Sequence, residues 1–274
     1  MRTTNRGWLS FWTLALILIL PILAAAGDRA VQPNGPYNPN DQTVEMFQAM
    51  KDGQIAVKFI PKDSKQANVM IENKTDKPLN VKLPDSFAGT PVLAQFGGGG
   101  LAGGGTNRSS NNRNNQNQTM GGGMGGMGMG GMGMGMGMMN IAPEKVGKIE
   151  VKTVCLEHGK AEPRATVPYE IKPIESFTEK PGVKELCQML GTGKIDQHAA
   201  QAAAWHLAND MSWRELGAKI GVKHINGRTE PYFTPQELQA AVALADTAVK
   251  TAAENEKQKP AKGDSQHSEN TPSK

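Results

Sequence analysis

Val146-Gly-Lys-Ile-Glu-Val-Lys-Thr-Val-Cys155 is the stretch whose reading decides the fold. Ile149, Val151 and Thr153 fall on one face and Val154 on the other, the period of two that marks a strand. The same alternation runs upstream. Gln54 to Ile60 repeats it around Ile55, Val57 and Phe59, and Ala67 to Glu72 repeats it around Val69 and Ile71. Asn73 to Lys77 is a polar turn, after which Leu79, Val81 and Leu83 resume the pattern. Pro91 to Gln95 and Val167 to Ile171 read as further short strands. Strands this close, joined by tight polar turns, predict an antiparallel sandwich of immunoglobulin-like type.

Beyond Pro173 the period becomes helical. Val183, Leu186, Cys187 and Leu190 share one face of a segment closed by Gly191-Thr-Gly193. Asp196 is placed to cap a helix from Gln197 to Ala208. Ser212 with Glu215, and Thr234 with Glu237, have the spacing of capping boxes opening two more. The fold class expected is therefore α+β, a sandwich followed by a small helical region. A short helix is expected from Asp41 to Lys51. The layout is a signal sequence at 1–26, a flexible leader at 27–40, helix plus sandwich at 41–173, helices at 174–254 and a disordered polar tail at 255–274. An insertion at 97–140 interrupts the sandwich. Residues 97–139 hold 18 glycines, and Met120 to Met139 is almost wholly Gly and Met. Glycine loses the most entropy on ordering and no apolar period offsets it, so the insertion is expected to be disordered.

The amino terminus predicts export. Arg2 and Arg6 precede an uncharged run from Trp8 to Leu23, and Ala24-Ala25-Ala26 offers the small residues of a cleavage site. The run has 16 residues, short of the roughly 20 that span a bilayer, so no membrane span is expected in the mature chain. The sequence carries 30 Lys+Arg against 26 Asp+Glu, and no basic stripe that would favour nucleic acid. Gly-x-Ser-x-Gly, a phosphate-binding loop and His-Glu-x-x-His are all absent. A non-enzymatic binding or structural module is the favoured class, with Cys155 and His158 as a weaker nucleophile–base option.

Two blocks stand out: Thr153-Val-Cys155-Leu-Glu-His158-Gly-Lys160 at a strand's end, and Gln201-Ala-Ala203-Ala-Trp205 on a helix. Together they resemble the thioester domains of bacterial surface adhesins, in which a cysteine at the edge of a β-subdomain is joined to the glutamine of a Gln-x-Ala-hydrophobic-Trp motif. The resemblance implies that Cys155 is the thioester sulfur, Gln201 the acyl donor, and His158, Ala203 and Trp205 supporting positions. It implies covalent capture of a protein or surface target that carries an amine. Cys-Leu-Glu-His-Gly-Lys (155–160) and Ala-Trp-His-Leu-Ala-Asn (204–209) are also similar to blocks in uncharacterised exported proteins of planctomycete-type bacteria, which implies a compartment and no activity.

Two alternatives stand beside this reading. In an exported chain Cys155 and Cys187 are candidates for a disulfide. Methionine sulfur suits Cu(I), so Met120, Met124, Met127, Met129, Met132, Met134, Met136, Met138 and Met139 are candidate copper ligands; otherwise no cofactor is expected.

Overall fold

The computed structural model describes residues 31–32, 35–92, 117–126 and 137–258. The expected signal sequence, much of the Gly/Asn/Met insertion and the tail past 258 lie outside the described residues. In chain order the elements are β1 (Val31–Gln32), β2 (Gln42–Glu45), α1 (Met46–Lys51), β3 (Ile55–Pro61), β4 (Gln66–Asn73), β5 (Leu79–Lys82), β6 (Phe87–Pro91), β7 (Met120–Gly122), β8 (Met138–Ile141), β9 (Val146–Cys155) and β10 (Tyr169–Lys172). The helical region follows with α2 (Val183–Gly191), α3 (Gln197–Asn209), α4 (Trp213–Ala218), a hairpin of β11 (Ile220–Lys223) and β12 (Thr229–Pro231), and α5 (Pro235–Gln258).

The sandwich does not form. Six antiparallel strands close into a barrel in the order β9-β4-β3-β10-β6-β7, with β7 returning to β9. The cause is the length of β9. Its residues Val146 to Lys152 pair with β4, and Thr153 to Cys155 pair with β7. One ten-residue strand thus supplies both sides of the closure, and a closed sheet leaves no free edges to stack as two layers. The strand that closes it, Met120-Gly-Gly, comes from the insertion expected to be disordered. Asn117 to Gly126 is ordered there, and β8 orders its far end.

Glycine is also required just past the closing strand, where the main chain comes close to other main chain. A Cβ on Gly123 would lie 2.4 Å from the carbonyl oxygen of Asp85 and 2.5 Å from that of Cys187. Inside the barrel, Phe59 meets Phe87 edge-on at 5.6 Å and Tyr169 at 6.0 Å, aromatic contacts of favourable geometry. A three-stranded sheet, β2-β5-β8, adds Val44, Leu79, Val81, Met139 and Ile141 to the same apolar cluster. The helix expected from Asp41 is split accordingly. Gln42 to Glu45 pair in parallel with β5, and Glu45 then caps α1 by accepting from the Gln48 N–H at 2.8 Å.

Against the barrel's end sits a second apolar cluster. Ala200, Ala202, Ala203 and Ala204 of α3 are buried together with Ala241, Ala245 and Ala248 of α5, and Val154 joins them from β9. Helix α5 continues to Gln258, so the first residues of the expected polar tail are helical. The capping boxes form as spaced: Ser212 and Glu215 bond reciprocally, as do Thr234 and Glu237.

Two glycine substitutions should have opposite signs. Gly123→Ala should destabilise by about 2–3 kcal/mol, because the clashing atoms are main chain and cannot swing away. Gly217→Ala, on exposed α4 with only Leu238 Cδ1 at 3.5 Å, should stabilise by up to about 1 kcal/mol. Urea unfolding of both variants checks the pair.

Candidate functional site at the junction of barrel and helices

The site grows out of the end of β9. Strand β4 stops supporting it at Lys65, whose carbonyl accepts from the Thr153 N–H at 2.8 Å. Beyond that point the main-chain groups on this edge have no strand beside them. Helix α3 replaces it with side-chain amides. Gln197 Nε2 donates to the Thr153 carbonyl at 2.8 Å. One turn on, Gln201 pairs with both main-chain groups of Cys155: its Oε1 accepts from the Cys155 N–H at 2.8 Å, and its Nε2 donates to the Cys155 carbonyl at 2.9 Å. Asn209 continues the series by donating to the Leu156 carbonyl and accepting from the His158 N–H, both at 3.1 Å. The opposite edge stays with β7 and the residue before it, where the Leu156 N–H donates to the Thr119 carbonyl.

Cys155 and Gln201 are thus adjacent and enclosed, 1% and 3% exposed. Strand alternation turns the Cys155 side chain to the face of Ile149 and Val151, and its Sγ lies 4.0 Å from the Ser64 carbonyl oxygen. Burial above all, then the charges of Glu162, Asp63 and Glu157, push the thiol well above its ordinary value, so it is held neutral. Glu157 is itself anchored: burial opposes its charge, but bonds from Lys160 and the Thr119 N–H hold its carboxyl below the usual range.

The disulfide alternative does not form, because both thiols are free. Cys187 points at the other side of the sheet, where a Cβ on Gly121 would lie 2.8 Å from its Sγ. It shares the helical cluster with Val154, and burial pushes its thiol up to about 12. The candidate copper ligands are only partly described. Met120, Met124 and Met139 are buried core residues and Met138 is half-buried on β8, while Met127, Met129, Met132, Met134 and Met136 lie outside the described residues.

Around Trp205, 3% exposed, an aromatic cluster forms. His158 meets its ring edge-on at 4.7 Å, and Tyr232 and Phe233 lie at 5.6 and 5.8 Å. Lys219 Nζ donates to His158 Nε2 at 3.0 Å and lies over the rings of Trp205 and Tyr232. Ala203 is wholly buried as a packing residue. The other histidines among the described residues have local partners: His198 with Glu237, His206 with the Met211 carbonyl, His224 with Glu230. A cleft of about 400 Å³ nearby is lined by Lys65, Gln66, Glu150, Val151, Lys152 and Gln197, and does not include Cys155 or Gln201.

Sequence reasoning placed Cys155, Gln201, His158 and Trp205, and the structure brings these four together. It missed Gln197, Asn209, Lys219 and Tyr232. Gln197 had a legible signal, since it sits four residues before Gln201 and so on the same helix face. No family model matches the chain, and no match was found among curated proteins or solved structures.

Gln201→Ala removes the partner of two buried main-chain groups and should destabilise by about 2–4 kcal/mol, measured by urea unfolding, whereas Gln197→Ala, which frees one, should cost about half as much. A second expectation concerns pH. Burial first, then the Lys219 ammonium, hold His158 below its ordinary value, so the unfolded chain takes this proton more readily than the folded one. Its share of stability is complete above about pH 6.5 and is lost as pH falls through that value toward the lower folded one. Unfolding measured between about pH 7.5 and pH 5 should therefore show a shallower decline in His158→Asn than in the unaltered chain.

Proposed function

We propose that this chain is an exported, non-enzymatic binding module whose Cys155–Gln201 pair forms an internal thioester that captures an amine on a protein or surface target. The observation that carries the reading is the Gln201 carboxamide held by the main chain of Cys155, both residues enclosed. The chemistry balances with no outside reagent. Cys155 Sγ adds to Gln201 Cδ, the C–S bond forms, the C–N bond breaks, and the thiol proton leaves with the nitrogen as ammonia. A target amine then attacks Cδ, the C–N bond forms, and the sulfur departs with a proton as the free thiol.

Two features support these steps. The Cys155 N–H already donates to Gln201 Oε1, so a donor is in place for the charge that develops on that oxygen during attack. Burial keeps water from the acyl carbon until a target arrives. The raised value of the thiol opposes the first step by keeping thiolate scarce, which suits a bond made once and not a catalytic cycle. Export rests on the amino-terminal pattern of Arg2, Arg6, the apolar run and Ala24 to Ala26. No helix among the described residues is long and apolar enough to cross a membrane.

Intact mass of the chain purified from the exported fraction tests the reading. The expected value is that of a chain beginning at Gly27 and lacking one ammonia, with the loss abolished in Cys155→Ala and in Gln201→Ala. Methylamine should add to the acyl carbon, leaving a chain heavier than the unmodified one by a single CH2, and expose one further thiol. A full, unmodified mass with two alkylatable thiols after unfolding would overturn it.

A further inference from the structure

We propose that Trp205, Tyr232 and His158 form a seat for a primary alkylammonium group, and that the chain's own Lys219 occupies it as a placeholder for the target. The idea takes its chemical purpose from the thioester reading, while the binding it claims stands by itself. Lys219 Nζ lies 5.1 Å from the Trp205 ring centroid and 5.2 Å from that of Tyr232, within the range in which a ring face attracts a cation. The third contact is the His158 imidazole, whose Nε2 accepts from the ammonium at 3.0 Å. Two ring faces and a neutral acceptor are the chemistry that recognises an alkylammonium ion, and among the described residues no carboxylate pairs with Lys219.

Position links this seat to the acyl carbon. Trp205 follows Gln201 by one helical turn, so their Cβ atoms are about 6 Å apart on one face of α3. His158 follows Cys155 by three residues. An amine resting in the seat is therefore one turn from Gln201 Cδ, a waiting position for attack.

A second, independent observation marks the seat as open to more than Lys219. Trp205 Nε1 is buried and has no hydrogen-bond partner among the described residues. Lys219, a donor only, leaves that indole N–H unused. The backbone carbonyl of an incoming lysine-bearing segment would supply the acceptor. Lys219 is also well placed to leave. It lies between α4 and a hairpin whose β11 residues are all exposed, and it is tied to the seat by the Tyr232 N–H, which donates to its carbonyl at 2.7 Å. A side chain in that position can swing out while the seat's wall stays in place.

The test is a calorimetric titration of the full chain with n-butylammonium, with n-butanol as the uncharged control. Lys219→Ala should bind n-butylammonium about tenfold more tightly than the unaltered chain, and Lys219→Arg should not, because it refills the seat. n-Butanol should gain nothing. Equal affinity in Lys219→Ala and the unaltered chain, or equal gain for n-butanol, overturns the proposal. Thermal unfolding confirms that each variant is folded, and Lys219→Met, which keeps the aliphatic stem, replaces Lys219→Ala if the shorter side chain loosens the hairpin. Where intact mass shows the lost ammonia, opening by n-butylamine should also be faster in Lys219→Ala. Where it does not, the thioester reading has failed, and the titration still decides the seat.

Discussion

A strand that runs on past its neighbour leaves N–H and C=O groups that must be hydrated or paired. At the end of β9 hydration is not an option, because the helical region covers it. The carboxamides of Gln197, Gln201 and Asn209 meet the demand, continuing the ladder that β4 abandons at Lys65. This substitution fixes the rest. It sets the rotation of α3 about its axis, which turns the alanine face onto α5 and aims Trp205 at His158. It also brings a carboxamide to a cysteine that lies 46 residues earlier. Lose the amides, and barrel and helices would meet only through non-directional apolar contact, which fixes orientation less tightly.

Burial acts in two directions at the same place. It holds Cys155 as a neutral thiol and keeps bulk water from the Gln201 carboxamide, yet it also makes every unpaired polar atom expensive. Most of those atoms are paired. Trp205 Nε1 is an exception, as are Thr153 Oγ1 and Gln118 Oε1 close to the same strand end. Such atoms tend to lie where a structure serves something other than its own stability, and here two belong to residues within four positions of Cys155 or Gln201.

Much of the secondary structure was legible. The alternation from Val146 to Cys155 and the capping pairs Ser212–Glu215 and Thr234–Glu237 are short-range signals, carried by residues close together in the chain. Closure of the barrel was not legible. Met120-Gly-Gly has one side chain to show, and it pairs through its backbone, allowed in by the absence of Cβ atoms at Gly122 and Gly123. Sequence periodicity reports side chains, so it is silent about a strand of this kind. Cys155 and Gln201 emerged from short motifs, and Gln197 was within reach of the four-residue spacing. Lys219 and Tyr232 were beyond it, because only the fold of the hairpin between them carries both to Trp205.

The described residues run to Val92 and resume at Asn117, and they run to Gly126 and resume at Gly137. In each case the two ends are anchored close together: β6 and β7 are paired neighbours, and a Cβ on Gly137 would lie 3.0 Å from Gly125. The entropy of closing a loop grows only with the logarithm of its length. Points anchored this close can therefore be joined by connections of very different length at little cost to the barrel's stability. The architecture is in effect a frame with two sockets, into which sequence can be added, exchanged or lost over evolutionary time while the junction of β9 and α3 is left as it was.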